Sequence, residues 1–287
     1  MMRLFFIFSI FFVSSLAGLE KMAVSLASDA YESPKIFVQK YSALGYKVQA
    51  YKSDHIHFYT LISDDGTLYV VFEGSTTIHS WESNLNIGEI AFLKDESRKV
   101  HRGFYQEALL AKAYLQKNLA FREKIVVTGH SLGAAIALLF ASILHENGYD
   151  VTLLTFGSPP VGNQAFVSSM QRLMHKRYNH ILDVIPKMKK KYIDKMKSAV
   201  NELNTHIEDS QTIKSLLDQI EGISYDYVHH GESIVLHNIE RLSLKQGQAS
   251  FAKRVLLKSL MYHSIKTYQE GLKKGPSIVF DLLHHFL

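Results

Sequence analysis

Apolar residues recur along the chain with two different periods, and each period predicts a different element. Two short runs rich in β-branched and aromatic residues, His55–Ile62 and Thr67–Gly74, predict strands, and the Asp65-Gly66 pair between them is typical of a hairpin turn. Apolar positions spaced three or four residues apart predict helices over Ser28–Gly45 and Phe104–Leu119. The first half of the chain therefore combines a hairpin with amphipathic helices.

The middle of the chain alternates strand and helix patterns. Lys124–Gly129 and Val151–Ser158 predict buried strands, Gln164–His175 predicts a helix, and Arg177–Asp183 predicts a further short strand. Such alternation indicates an α/β fold with a mostly parallel central sheet flanked by helices. Because no internal repeat or low-complexity linker is found, a single domain over residues 28–287 is predicted.

A lysine-rich helical pattern over about residues 187–222 predicts an insertion within that domain. It separates the strand ending at Asp183 from a later strand or hairpin arm, Tyr225–Leu236. The insertion is open to three interpretations: a substrate cap, a membrane-surface element, or a helix with a solvated charged face.

The N-terminus has the layout of a secretory signal peptide. Arg3 precedes the apolar run Leu4–Val13, and small residues follow, so cleavage is predicted after Ala17, with a second candidate site after Ala27. The protein is therefore expected to be secreted or periplasmic, and the alternative is an uncleaved membrane anchor.

Composition removes several classes of function. The 287 residues include no cysteine, which excludes disulfides, thiolate metal sites and cysteine nucleophiles. The net charge of +5 is mild, and no basic stripe interleaved with aromatics is present, so no nucleic-acid partner is expected. No protein partner, metal or cofactor is indicated either.

One motif carries chemistry by its context. Gly129-His130-Ser131-Leu132-Gly133 is a G-x-S-x-G sequence placed between a predicted strand and an alanine-rich predicted helix. The glycines allow a sharp turn with Ser131 exposed at its apex, and the helix N-terminus would present the N–H of Leu132 to an oxyanion. The alternative is a strand-to-helix turn with incidental glycines.

A serine nucleophile needs a base and an orienting carboxylate, which in an α/β hydrolase follow it in the order Asp or Glu, then His. Asp183 is the first candidate because it ends a predicted strand, and His263 is the first candidate base because it precedes a predicted helix. Spacing alone leaves rivals open. They are Asp194, Asp209 and Asp218 for the acid, and His206, His229, His230, His237, His284 and His285 for the base.

An ordered set of segments resembles the class 3, fungal-lipase-like family of α/β hydrolases. The resemblance covers about Phe58–Leu272 and runs through "VVFEGSTTIHSWESNL", "VHRGF", "VTGHSLGAAIA", "TFGSPPVGNQAF", "LDVIP", "HHGES" and "YHSIKTYQEGL". It implies Ser131 as nucleophile, Asp183 as orienting acid and His263 as base. It also implies Ser75 beside Leu132 in the oxyanion hole.

The same resemblance implies a lid after Ser75, in which Trp81, Leu85 and Ile87 would contact substrate; alternatively these side chains pack on the core. Two departures from the family are noted. Glu73 stands where the family usually has arginine, and the interval from Asp183 to His263 is long.

The resemblance implies a serine hydrolase that cleaves lipid carboxylic esters, of the triacylglycerol lipase kind, without cofactor, at a membrane or lipid-droplet surface. Phospholipase A-type or acyltransferase activity on the same three residues is the near alternative. A catalytically inactive lipid- or partner-binding homologue is the alternative from another class.

Overall fold

The computed structural model describes residues 18–53, 56–74, 88–119, 124–183, 185–187, 226–236 and 263–274. The predicted signal peptide, the residues named for a predicted lid (Trp81, Leu85 and Ile87) and nearly all of the predicted insertion lie outside these ranges. In the described part of the chain, no helix is both long and apolar enough to cross a membrane.

The described residues form a seven-stranded sheet, a separate two-stranded hairpin and six α-helices. The strands are β1 Lys47–Lys52, β2 His57–Ile62, β3 Leu68–Phe72, β4 Glu89–Phe92, β5 Asp95–His101, β6 Ile125–His130, β7 Val151–Phe156, β8 Met174–His180 and β9 Glu232–Leu236. The helices are α1 over residues 18–29, α2 Pro34–Ala43, α3 Arg102–Leu119, α4 Leu132–Glu146, α5 Gln164–Ser169 and α6 Ile265–Lys274.

The sheet has the strand order β1-β2-β3-β6-β7-β8-β9. Its first three strands are antiparallel and include the predicted hairpin, whereas β3, β6, β7, β8 and β9 are all parallel. The prediction of a mostly parallel central sheet is therefore confirmed. The carboxyl ends of these parallel strands meet at one edge, which is where open α/β sheets hold their ligands.

Both faces of the sheet are covered, because neighbouring residues of a strand point to opposite sides. Val127 on β6 belongs to the core shared with α3 and α4, whereas Val126 belongs to the core shared with α1 and α6. A third cluster packs α1 and α2 against β2. Strands covered on both faces are buried at successive positions, and β6 is buried at all six.

Several predicted boundaries were wrong. The helix predicted over Ser28–Gly45 is broken at residues 30–33, because Ser33 caps a new helix that has Pro34 in its first turn. The helix predicted over Gln164–His175 ends at Ser169, and β8 already begins at Met174. The edge strand β1 and the β4-β5 hairpin were not predicted, since β1 is largely solvent-facing, β4 has only four residues, and β5 has few apolar residues.

Candidate active site

The turn between β6 and α4 is as sharp as its two glycines suggest. Ser131 has φ 56° and ψ −121°, a conformation that side-chain-bearing residues rarely adopt. A Cβ at Gly129 would lie 2.5 Å from the main-chain carbonyl of Gly133, and one at Gly133 would lie 2.4 Å from the carbonyl oxygen of Phe72. Only glycine fits either position, and the strained Ser131 is thereby held between strand and helix.

The three side chains singled out in the sequence meet at this turn. The Nε2 atom of His263 lies 2.8 Å from the Oγ of Ser131, and its Nδ1 atom lies 2.7 Å from the Oδ2 of Asp183. A carboxylate only accepts hydrogen bonds, so Nδ1 carries the proton and Nε2 accepts from the serine hydroxyl. The arrangement can therefore take a proton from Ser131 without any rearrangement.

Asp183 is fully buried, and its carboxylate is held by three donors. Besides His263, Oδ2 accepts from the Tyr268 hydroxyl at 2.5 Å, and Oδ1 accepts from the main-chain N–H of Ile185 at 2.9 Å. Burial and the neighbouring carboxylate raise the pKa of Tyr268 well above its usual range, so this phenol stays a donor.

Tyr268 is a site residue that the sequence analysis missed. It lies on α6, the helix that follows His263, and is fully buried. A buried tyrosine hydroxyl normally finds a polar partner, and that was the available signal. The partner could not be named in advance because the contact joins α6 to the end of β8.

The residues proposed for an oxyanion hole are only partly described. Leu132 is the first residue of α4, where a main-chain N–H has no partner within the helix, and it adjoins Ser131 directly. Ser75, Trp81, Leu85 and Ile87 lie outside the described residues, so their predicted roles stay predictions.

The rival acid and base candidates either lie outside the described residues or bond elsewhere. His229 Nε2 contacts the carbonyl oxygen of Pro186, and His230 is shared between His175 and the carbonyl oxygen of Met170. Neither ring contacts Ser131. The other named candidates are Asp194, Asp209, Asp218, His206, His237, His284 and His285, none of which falls in the described ranges.

Glu73, the departure noted in the sequence, has a partner of its own. Its carboxylate lies 2.6 Å from the Nδ1 atom of His57 on the neighbouring strand β2. The pair joins the residue that follows β3 to the antiparallel part of the sheet. Across the part of the chain that the structure describes, no three His, Asp or Glu side chains gather as a metal site would require.

Comparison with known proteins gives this geometry a family context. Residues 69–192 match the family model described as "Lipase (class 3)". The chain is 32% identical over 133 residues to a lipase of Rhizomucor miehei, covering 42% of this chain and 37% of that protein. It is 31% identical over 129 residues to the secreted mono- and diacylglycerol lipase 1 of Fusarium solani, covering 42% and 39%.

A bacterial relative is also similar. The toxin TseL of Vibrio cholerae is 30% identical over 158 residues, which cover 52% of this chain and 24% of the toxin. The chain thus spans between about a quarter and two fifths of the length of these curated relatives.

Solved structures share the fold. A mutant form of MDLA from Penicillium cyclopium superposes with a TM-score of 0.56 at 19% identity, covering 83% of this chain and 84% of that one. The Rhizomucor miehei lipase–propeptide complex gives 0.54 at 21% identity, covering 78% and 69%. The architecture is that of the α/β hydrolases.

Proposed function

We propose that the protein hydrolyses carboxylic esters of lipids through an acyl-enzyme on Ser131, in keeping with the match of residues 69–192 to the class 3 lipase family model. The observation that carries this proposal is the continuous hydrogen-bonded series from the Ser131 hydroxyl through the His263 ring to the buried Asp183 carboxylate. No other arrangement in the described residues joins a hydroxyl, an imidazole and a carboxylate in this order.

In the first half of the reaction, Oγ of Ser131 attacks the ester carbonyl carbon while Nε2 of His263 takes the serine proton. Asp183 keeps the ring in the required tautomer and stabilises the imidazolium that forms. As the tetrahedral intermediate collapses, the bond to the alkoxide breaks and His263 returns the proton to the departing alcohol. Ser131 is left acylated.

In the second half, water replaces the alcohol. His263 takes a proton from the water while the water oxygen attacks the acyl carbon. It then gives that proton to the Oγ of Ser131 as the fatty acid leaves. Atoms balance with one water consumed per ester bond. Donors at the oxyanion would be the main-chain N–H of Leu132 and, by the family resemblance, Ser75.

Glycerolipids are the proposed substrates. Support comes from the family match and from the Rhizomucor miehei and Fusarium solani relatives, whose names state lipase and mono- and diacylglycerol lipase activity. Export is proposed on the N-terminal pattern and on the secreted Fusarium solani relative. Phospholipids are the other outcome that a substrate panel has to distinguish.

The test is product identification on a panel of tri-, di- and monoacylglycerols and phospholipids with the wild type and Ser131→Ala. We expect kcat to fall by about 10⁶ in Ser131→Ala and in His263→Ala. The triad residues act as a unit, so removing either one abolishes nearly the whole contribution of the triad to kcat. Ser142→Ala is the matched control. Ser142 is a fully buried serine of α4, the helix that Ser131 precedes, and its hydroxyl donates to the carbonyl oxygen of Leu138, so activity should be kept.

A fluorophosphonate probe gives an independent readout. It should label the wild type and Ser142→Ala but not Ser131→Ala. A folded wild type that resists the probe and releases no fatty acid would instead identify a non-catalytic binding protein. Transfer of the acyl group to an added alcohol in preference to water would identify an acyltransferase.

A further inference from the structure

The residue before the candidate nucleophile uses both nitrogens of its ring. His130 is only 5% exposed, and its Nε2 lies 2.7 Å from the main-chain carbonyl oxygen of His263. Its Nδ1 lies 2.7 Å from the hydroxyl of Tyr31. The ring thus links a turn after α1 to the main chain of the candidate base.

The direction of these two hydrogen bonds is fixed by chemistry. A carbonyl oxygen only accepts, so Nε2 of His130 carries the hydrogen. Burial, with a contribution from the nearby His263, lowers the pKa of His130 well below its usual range, so the ring is neutral. Nδ1 must then accept, and Tyr31 donates to His130, which donates to His263.

Tyr31 also contacts the strand end that leads toward Ser75. A Cβ at Gly74 would lie 2.0 Å from the Tyr31 hydroxyl oxygen and 2.7 Å from the carbonyl oxygen of His130. Burial and the charge of Glu73 raise the pKa of Tyr31, which keeps its hydroxyl protonated as the donor. The phenol of Tyr31 therefore lies against both the end of β3 and the serine turn, which is the turn between β6 and α4 that carries Ser131.

We propose that Tyr31 and His130 are positioning residues that fix the main chain at His263 and thereby aim its ring at Ser131. This inference rests on the proposed function, since it gives His263 the role of base. The Asp183 contact holds one atom of that ring, whereas the His130 contact holds the peptide unit from which the ring extends. Two fixed points define the orientation that proton transfer needs.

A neutral His130 also suits the reaction. Its ring centroid lies 4.8 Å from that of His263, which becomes positively charged as it takes the serine proton. A charged ring at this distance would oppose that step. The Tyr31 hydroxyl at Nδ1 and the burial of the ring both maintain the neutral form.

The first test compares Tyr31→Phe with Tyr41→Phe in the full chain. Tyr41 is the matched control, because its hydroxyl donates to Asp29 near the same end of α1 but does not touch the serine turn. We expect Tyr31→Phe to lower kcat by about 3- to 10-fold, the effect of one neutral hydrogen bond, with KM unchanged. Tyr41→Phe should keep kcat.

The second test separates the two bonds of His130. In His130→Gln, the longer amide can still donate to the carbonyl of His263, whereas in His130→Asn the shorter amide can serve only Tyr31. We expect kcat to fall by about 10- to 100-fold in His130→Asn and by clearly less in His130→Gln. Only the asparagine variant loses the hydrogen bond to the main-chain carbonyl of His263. Thermal midpoints of both variants report their folding.

The outcomes separate this inference from the proposed function. If wild-type hydrolysis is absent or does not depend on Ser131, the proposed function fails and the inference fails with it. If the wild type is active but Tyr31→Phe keeps its kcat, or if Tyr41→Phe loses as much, the positioning role is refuted. Equal activity of His130→Asn and His130→Gln at matched thermal midpoints refutes it as well.

Discussion

A buried histidine at the end of β5 makes stability depend on pH in a way that can be calculated. His101 is 1% exposed, its ring stacks on Phe104 at a centroid distance of 4.0 Å, and burial lowers its pKa to about 4. Its Nδ1 accepts from the main-chain N–H of Phe104 in the first turn of α3. Protonation would charge a desolvated ring and remove this acceptor.

The direction of the pH dependence follows from the pKa of His101 in the folded and in the unfolded state. The pKa in the folded state lies below the unfolded value of about 6.5, so the unfolded chain binds the proton first as pH falls. Stability is therefore fully present above about pH 6.5 and is lost progressively toward pH 4. With about 1.4 kcal/mol per pH unit over this interval, the loss at pH 5 is about 2 kcal/mol.

The assay is urea unfolding of the wild type and His101→Asn at pH 7 and pH 5. Asparagine can keep an oxygen near the place of Nδ1 for the Phe104 N–H, yet it does not titrate. The wild type should lose about 2 kcal/mol more than the variant between the two pH values. Other buried groups, such as His229 with a pKa of about 4 and Glu107 with one of about 8, titrate in both proteins and cancel.

Two results would refute this reasoning. One is a difference in the free energy of unfolding between the wild type and His101→Asn that changes by less than about 0.5 kcal/mol from pH 7 to pH 5. A change of that size is within the scatter of additive effects. The other is a wild type that gains stability relative to the variant on acidification. Either result would mean that the ring is solvated or already charged in the folded state.

Two further substitutions test the supports of the candidate site. Tyr268→Phe removes a donor to Asp183, so the free energy of unfolding should fall by about 1.5–3 kcal/mol in urea titrations, with a loss of kcat; unchanged stability would contradict the contact. Gly133→Ala forces a Cβ against the carbonyl of Phe72 and should cost about 1–3 kcal/mol together with activity, whereas Gly18→Ala, which meets nothing within 4 Å, should be tolerated.

Local patterns sufficed for the serine turn because everything that defines it is contiguous. A β-branched run, two glycines and an alanine-rich helix all fall between Lys124 and Glu146, and the glycines are required by main-chain approaches within that segment and to β3. The end of β8 could be predicted in the same way, since the predicted strand Arg177–Asp183 stops shortly before Pro186.

The base was less accessible to such reasoning. His263 lies 80 residues beyond Asp183 in the chain, and spacing alone left several other histidines open. The family resemblance, not periodicity, favoured His263. The geometry now shows its ring between Ser131 and Asp183, while its catalytic role stays a prediction until the variants are assayed.

Helix α1 was not predicted because of the segment that precedes it in the chain. Residues 18–29 follow an apolar leader and read as part of a signal region, yet Ala23, Leu26 and Ala27 are fully buried against the sheet. Its apolar residues do recur at helical spacing, but they directly follow the apolar run and were grouped with it. A cut after Ala27 would remove these contacts, whereas a cut after Ala17 would leave them.

The contacts that sequence patterns could not reveal share one property: each joins elements that are distant in the chain. The link from Tyr31 to His130 spans 99 positions, and the link from His130 to the His263 carbonyl spans 133. Loop-closure entropy makes such links costly to form, so they hold only when the flanking helices are already packed. The serine turn is therefore specified locally, while the aim of the base depends on α1 and α6 docking on the same face of the sheet.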